Sequence, residues 1–354
     1  ERASLCALSS VRHFVGKDQD QDGRSVHTQP YGFQSVGQEN GQAIYENQYA
    51  LPVGYTYTSY QTRSDYNELS PLERQQAILQ SAVVEDEDKT ELSNALIQAE
   101  PRLTSQTVDW TVSKTENVQI EDNTVKVKKG MGFITLNFDG VADAETYVYL
   151  KGVDMEHGSK SEATVRVSGN TVTKRANVYQ DDSLYHFQRD GVTFNLGHNE
   201  KGVRSCRITF EKAGTYSFDD LQVVCLPMAD YVKDVTERGE TTLENVTEEN
   251  GHLSGTIHLE DTRLLTLSIP YQDTWTVKVD GTPAKVLRVN GMYMGVQLEA
   301  GDHVITADYQ IPGLKLGAMV SGTAVAVTLC VFVGSAIYRR CKKDKKGGKR
   351  HKKA

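Results

Sequence analysis

Between Leu316 and Tyr338 lie 23 residues without a charge, and ten of the sixteen residues that follow are Lys or Arg. No other stretch constrains the chain so tightly. At about 1.5 Å per helical residue such a run covers a hydrocarbon core of about 30 Å. Lys315 bounds it on one side, and Arg339, Arg340, Lys342 and Lys343 bound it on the other. A buried helix of a soluble core is the competing reading, but soluble helices of this length normally carry a polar face. Gly317, Gly322 and Gly334 fit a span, since Gly is common in membrane helices. A basic flank stays in the cytoplasm, which puts residues 1–312 on the outer side.

Charge divides at the same place. The whole chain is −8. Residues 339–354 hold ten basic residues and one acid, Asp344, so the tail is +9 and residues 1–338 carry −17. An acidic outer region and a basic tail suit opposite faces of a bilayer, and the tail attracts anionic lipid. The lipid bilayer is therefore the first expected partner. Nucleic acid is not expected, because no aromatic residue alternates with the basic ones to stack a base. The chain opens at Glu1 with no basic-then-apolar leader. A translocated region of this size predicts membrane segments upstream, and the chain reads as the C-terminal part of a longer membrane protein.

The outer region reads as mainly β: two antiparallel β-sandwich or jelly-roll-like units after a small α+β segment, then one C-terminal transmembrane helix. Residues 1–104 form the α+β segment, with a helix near 70–85. Ser70-Pro-Leu-Glu73 has capping-box form with Pro at the first helical position, and Leu72, Ala77, Ile78, Leu79, Ala82 and Val83 give an apolar stripe. The acids Glu85–Asp88 are expected to end it, with a second helical piece over Leu92–Ile97. From about Leu103 the period becomes two, as in Ile134, Leu136 and Phe138, and residues 105–228 suit a jelly roll. Residues 229–251 read as a polar connector with about one helical turn, and 252–312 as a small β domain with a hairpin at Asp280-Gly281. Residues 313–338 are the membrane helix and 339–354 the cytoplasmic tail. Cys206 and Cys225 fall on apolar faces of two strands. A hairpin turning near Ala213 would set Cys206 opposite about residue 220, which favours two buried thiols over a disulfide.

Candidate sites are few. Asp18-Gln-Asp20-Gln-Asp22-Gly23 imitates half of a calcium loop, but Gln29 stands where the bidentate acid belongs, so a solvated acidic loop is favoured. No metal or cofactor is expected. No HExxH, paired CxxC or GxSxG occurs, and nothing orders Ser, His and Asp into a triad. The segment with Tyr49, Tyr55, Tyr57 and Tyr60 is the candidate substrate surface. Tyr rings stack sugars, yet Tyr also packs in half-buried strands. Packing is the favoured general role, while the break at Pro52 predicts that some of these rings stay exposed. Trp110 and Trp275 read as core.

Several motifs together resemble a known family. Ser268-Ile-Pro-Tyr271, Trp275-Thr-Val-Lys-Val-Asp-Gly281, Val289-Asn-Gly291, Gly295-Val-Gln-Leu298, Gly301-Asp-His303 and Tyr309-Gln-Ile-Pro-Gly313 resemble the C-terminal end of YfhO-type bacterial membrane proteins. Pro30-Tyr-Gly-Phe33, Tyr45-Glu-Asn47, Ala50-Leu-Pro-Val-Gly-Tyr55 and Glu73-Arg-Gln-Gln-Ala77 resemble the same family's extracytoplasmic region. The resemblance implies a polytopic protein of the bacterial plasma membrane whose core is similar to GT-C glycosyltransferases. It would use an undecaprenyl-linked sugar and modify an envelope polymer such as lipoteichoic acid, with the present chain accessory. The catalytic carboxylate of that class lies upstream, so no catalytic residue is expected here. The competing class is a single-pass, surface-anchored β-domain binding or adhesion protein, which a signal peptide directly upstream would favour. The lone Asn245-Val-Thr247 sequon matters only in a cell that N-glycosylates, and the resemblance argues against that.

Overall fold

A computed structural model describes residues 3–16, 30–92, 94–155, 162–179, 183–185 and 191–347. The calcium-like loop Asp18–Gly23 and Gln29 lie outside the described residues. The chain is mainly β with one C-terminal apolar helix.

Local signals place the early helices. Helix α1 (Ala3–Leu8) buries Ala3, Ala7 and Leu8. Helix α2 (Arg63–Glu68) is capped by Thr62, whose side chain accepts from the Asp65 amide. Helix α3 (Pro71–Gln80) has the expected capping box: Ser70 Oγ accepts from the Glu73 amide, and the Ser70 amide donates to Glu73 Oε2 at 2.8 Å. It stops at Ser81, before the acids expected to end it, because Ala82–Val84 leaves as a fully buried strand. Asp86–Glu91 forms a short 3-10 helix. Among the described residues of 92–97 no helix forms; Leu96 drops into the core and Ile97–Gln98 adds an edge strand.

That strand belongs to a seven-stranded sheet drawn from both ends of the chain. Its order is Gly54–Tyr57, Arg263–Pro270, Tyr293–Leu298, Leu287–Val289, Ala82–Val84, Ser59–Thr62 and Ile97–Gln98. Tyr55 pairs with Thr266 and Val84 with Val289. The units expected at 1–104 and 252–312 are therefore one split domain with a sandwich inserted. Both faces of this sheet are covered, which explains the near-continuous apolar run Leu264-Leu-Thr-Leu267. On one side lies an antiparallel five-stranded sheet, with Leu253, Ile257, Leu265, Val277, Val296 and Ile305 between. On the other, Tyr55, Tyr57, Val84 and Val289 meet the helices through Leu8, Ile78 and Leu79. Asn290 joins the two ends of the chain: its Oδ1 accepts from the Val83 amide at 2.9 Å, and its Nδ2 donates to the Tyr57 hydroxyl at 3.0 Å.

Helix α4 (Met228–Gly239) replaces most of the expected connector. Met228, Tyr231 and Val235 recur on one face and are buried, while the acids point away, except Asp234, which meets Arg102 at 2.9 Å. Near its end Arg238 is buried. Its Nε donates to Leu79 O at 3.0 Å, Nη1 donates to Thr56 O at 2.5 Å, and the guanidinium sits 4.6 Å from the Tyr57 ring centre. Beyond Glu240, Glu244–Glu249 joins the five-stranded sheet of the split domain.

The inserted sandwich packs a five-stranded sheet against a four-stranded one. The first has the order Val172–Tyr179, Glu162–Gly169, Ser205–Phe210, Gly132–Phe138, Trp110–Glu116. The second has Gly191–Asn199, Ala144–Lys151, Asp220–Pro227 and Gln106–Val108. Ile134, Leu136, Val165, Val148, Phe194 and Val223 fill the space between. Cys206 and Cys225 are free thiols in opposite sheets. The hairpin expected near Ala213 does not pair their strands, because Gly214–Ser217 enters a separate small sheet. Burial pushes the Cys206 thiol up to about 12.

At Asp280-Gly281 both residues have positive φ, 51° and 79°, which gives the expected tight hairpin. Helix α5 (Leu314–Gly347) follows the last strand after four residues, and its part from Leu314 to Arg340 is long and apolar enough to cross a bilayer.

Candidate functional site

The tyrosine segment is core. Tyr55 and Tyr57 are 0 % exposed and Tyr60 8 %. The Tyr55 hydroxyl donates to Leu8 O at 3.1 Å and the Tyr57 hydroxyl to Ile78 O at 2.8 Å. Burial pushes the Tyr57 phenol up to about 12 and that of Tyr55 well up. No ring face remains for a sugar at these three positions, contrary to the candidate surface. Tyr49 alone is half-exposed, and its neighbours claim it: it stacks on Tyr31 at 6.0 Å and meets Tyr231 edge-on at 5.5 Å. The break at Pro52 does separate Tyr49 from the others, but the strand Gly54–Tyr57 lies between a sheet neighbour and the helices, so its rings turn inward.

The rings of Tyr31, Tyr49 and Tyr231 gather near a carboxylate that the sequence did not single out. Glu145, on the four-stranded sheet, is buried and accepts from the Tyr147 hydroxyl. Burial raises its pKa, against the pull of its bonds to Tyr147, Asn195 and the Tyr31 backbone. Tyr31 also meets the His198 ring edge-on at 5.0 Å. This cluster is a seam between the sandwich and the split domain. Tyr31 and Tyr49 are half-buried there, and Tyr231 is buried. The acid Glu145 within the apolar run Ala144–Lys151 is the sequence signal that could have found it.

The open surface is the outer face of the five-stranded sheet. Alternation puts Val165, Val167, Ile134 and Leu136 inward and Arg166, Ser168, Phe133, Thr135 and Arg207 outward. A shallow groove of about 800 Å³ runs along this face, lined by Phe133, Thr135, Arg166, Ser168, Arg207 and Thr209 among others. The Arg207 guanidinium lies 4.2 Å from the Phe133 ring centre and Lys114 Nζ 5.6 Å from it. Glu211 lies 3.6 Å from Arg166 and 3.7 Å from Arg175. Arg166 Nε and Thr135 Oγ1 have no hydrogen-bond partner among the described residues. The face thus presents a ring, cations and hydroxyls. Among the described residues no three or more His, Cys, Asp or Glu come together as a metal site.

Split sheet, inserted sandwich and terminal apolar helix describe a β-rich chain with one helix long and apolar enough to cross a membrane. The chain belongs to the YfhO family: the family described as bacterial membrane protein YfhO matches residues 1–321. It is 24 % identical over 348 residues to the uncharacterized protein YfhO of Bacillus subtilis strain 168. That alignment covers 94 % of this chain and 36 % of the relative, so the chain spans about a third of the relative's length. Solved structures similar to part of the chain include the C-terminal CBM6 of the laminarinase LamC from Zobellia galactanivorans, at 8 % identity and TM-score 0.25, over 35 % of this chain and 99 % of that one. The CBM6cm-2 carbohydrate-binding module of Cellvibrio mixtus lichenase 5A, in complex with cellotriose, is similar at 10 % identity and TM-score 0.23, over 34 % and 98 %. Likeness at this level assigns no ligand to this chain.

Proposed function

We propose that this chain is the extracytoplasmic C-terminal portion of a polytopic protein of the bacterial plasma membrane. Residues 1–312 lie outside and the tail 339–354 in the cytoplasm. The whole protein transfers a sugar from an undecaprenyl-linked donor to an envelope polymer such as lipoteichoic acid, by a GT-C-like mechanism whose catalytic carboxylate lies upstream. The present chain holds the acceptor. The observation that supports this role is the open sheet face with Phe133, Arg207 and Lys114. A ring stacks on the apolar face of a sugar or polyol, guanidinium groups pair with phosphate, and the surrounding Ser and Thr hydroxyls bond hydroxyl groups.

The test is the double variant Phe133→Ala, Arg207→Ala in the full-length parent. Both side chains point outward, so melting should move by no more than about 1 kcal/mol. Sugar incorporated into the envelope polymer should fall several-fold. Normal incorporation at normal protein level would reject the acceptor role. Loss of surface adhesion with normal incorporation would instead select the anchored binding protein.

A further inference from the structure

The end of the split domain nearest α5 carries an aromatic and apolar rim, in which Tyr271 and Trp275 are half-buried against the core and Met292, Tyr309 and Ile311 are exposed. Three loops meet there. The Tyr271 amide donates to Met292 O at 2.8 Å, and the Gln310 amide donates to Thr274 O at 2.9 Å. The rings of Trp275 and Tyr309 lie 5.2 Å apart. Met292 is 51 % exposed and Ile311 59 %. Arg288 turns its Nε onto Gly291 O at 2.8 Å beside them, Lys315 opens α5, and the acids Asp273 and Asp308 lie alongside, Asp308 at 2.7 Å from His252 Nδ1.

The chain stays bonded to the rim as far as Gln310, so only Ile311, Pro312 and Gly313 separate it from Leu314. The four Cα–Cα steps from Gln310 to Leu314 reach about 14 Å at full extension. The headgroup layer on each side of a hydrocarbon core is about 5–8 Å deep. A rim tethered this closely to a membrane-crossing helix cannot stand clear of the bilayer by more than a few residues' length. Its composition suits contact, since Trp and Tyr gather at the depth of the headgroups and Met and Ile reach the first methylenes. Arg288 and Lys315 suit the phosphates.

We propose that the rim formed by Tyr271, Trp275, Met292, Tyr309 and Ile311 is seated in the headgroup layer of the bilayer that α5 crosses. The split domain is thereby held upright by a second contact besides the helix, and the inserted sandwich is fixed in its height and heading above the membrane.

Trp275 is its own reporter. The 354-residue chain with Trp110→Phe, which leaves Trp275 as the single Trp, is placed in phosphatidylcholine–phosphatidylglycerol vesicles. The lipid is brominated either near the headgroup end of the acyl chain or near its methyl end. Seating predicts that the shallow bromine lowers Trp275 emission by about half and the deep bromine by much less. Should Trp110→Phe disturb the sandwich, the same signal is taken as the wild-type chain less the Trp275→Phe chain. Emission indifferent to both lipids, with Trp275 open to aqueous iodide, overturns the proposal. Emission indifferent to both lipids, with Trp275 shielded from iodide, also overturns it and assigns the rim to a protein contact.

Discussion

The inserted sandwich and the split domain obtain their cores in different ways. In the sandwich, Glu162–Gly169 pairs with Val172–Tyr179 across a tight turn, and buried positions alternate along Gly132–Phe138 and Glu162–Gly169. In the split domain, Tyr57 meets Asn290 across 233 residues of chain, and three-residue strands such as Ala82–Val84 sit in the middle of the sheet. The sandwich has a core of its own and presents a polar face. The split domain closes the two ends of the chain on each other and buries Tyr55 and Tyr57 in that closure.

Fragments test this contrast at its strongest. Residues 105–227 alone should show a β-type circular dichroism spectrum and melt cooperatively. Residues 228–312 alone should not, since Leu264, Leu287 and Val289 would lose the strands and helices that cover them. A cooperative melt from the second fragment would erase the distinction.

Within the closure, Tyr57→Ala should cost about 4 kcal/mol by chemical denaturation, as for other large buried rings. It removes a side chain with two hydroxyl bonds, to Ile78 O and from Asn290. Arg238→Met should cost about 3 kcal/mol, because it leaves Leu79 O and Thr56 O without their charged donor. Arg207→Ala on the sandwich face is the control and should be nearly silent in melting. Equal costs at Arg238 and Arg207 would mean that the open face is structural.

What could be read from the sequence follows the same division. The capping box of α3, the alternating strands of the sandwich and the Asp280-Gly281 turn are short-range signals, and the structure contains each of them. The apolar helix was legible from its length alone. The sevenfold sheet was not, because a three-residue strand has no period to detect and its partners come from the far end of the chain. Helix α4 was missed because its apolar stripe is only Met228, Tyr231 and Val235 among acids. The tyrosines misled for a related reason. Whether a Tyr packs or stays exposed depends on a partner for its hydroxyl, and here those partners, Leu8 O and Ile78 O, come from helices packed over the sheet. The face around Phe133 drew no attention because ordinary alternation leaves polar residues outward on any sandwich.

The seam between the two bodies should respond to pH through Glu145. Burial raises its pKa, so the folded state holds its proton to higher pH than the unfolded chain does. Its contribution is fully present below the ordinary carboxylate pKa and is lost as pH rises through the raised value. Glu145→Gln keeps an acceptor for the Tyr147 hydroxyl and cannot ionise. Its melting temperature relative to wild type should therefore climb as pH rises through the carboxylate range, then level off. A constant difference across that range would show that Glu145 is not held protonated at the seam.

The smallest expected effect belongs to the hairpin of the five-stranded sheet in the split domain. His303 donates through Nδ1 to Asp280 Oδ2 at 2.8 Å, and its Nε2 lies 3.0 Å from Glu299 O. Both partners accept, so the ring is favoured as the doubly protonated cation, and its pKa is raised, chiefly by the bond to Asp280. The sign is opposite in origin to that at Glu145 but runs the same way with pH. The stabilisation is complete below the ordinary His pKa and fades as pH rises through the raised one. Because the Asp280 carboxylate is in open solvent, salt screens the pair, and the change should be only a slight fall in melting temperature from mildly acidic to mildly basic pH. His303→Gln should abolish that fall while Asp280 keeps its bond to the Val304 amide at 2.8 Å and the turn persists. If the fall survives in His303→Gln, some other group carries it, and the hairpin owes its shape to the Asp280-Gly281 backbone alone.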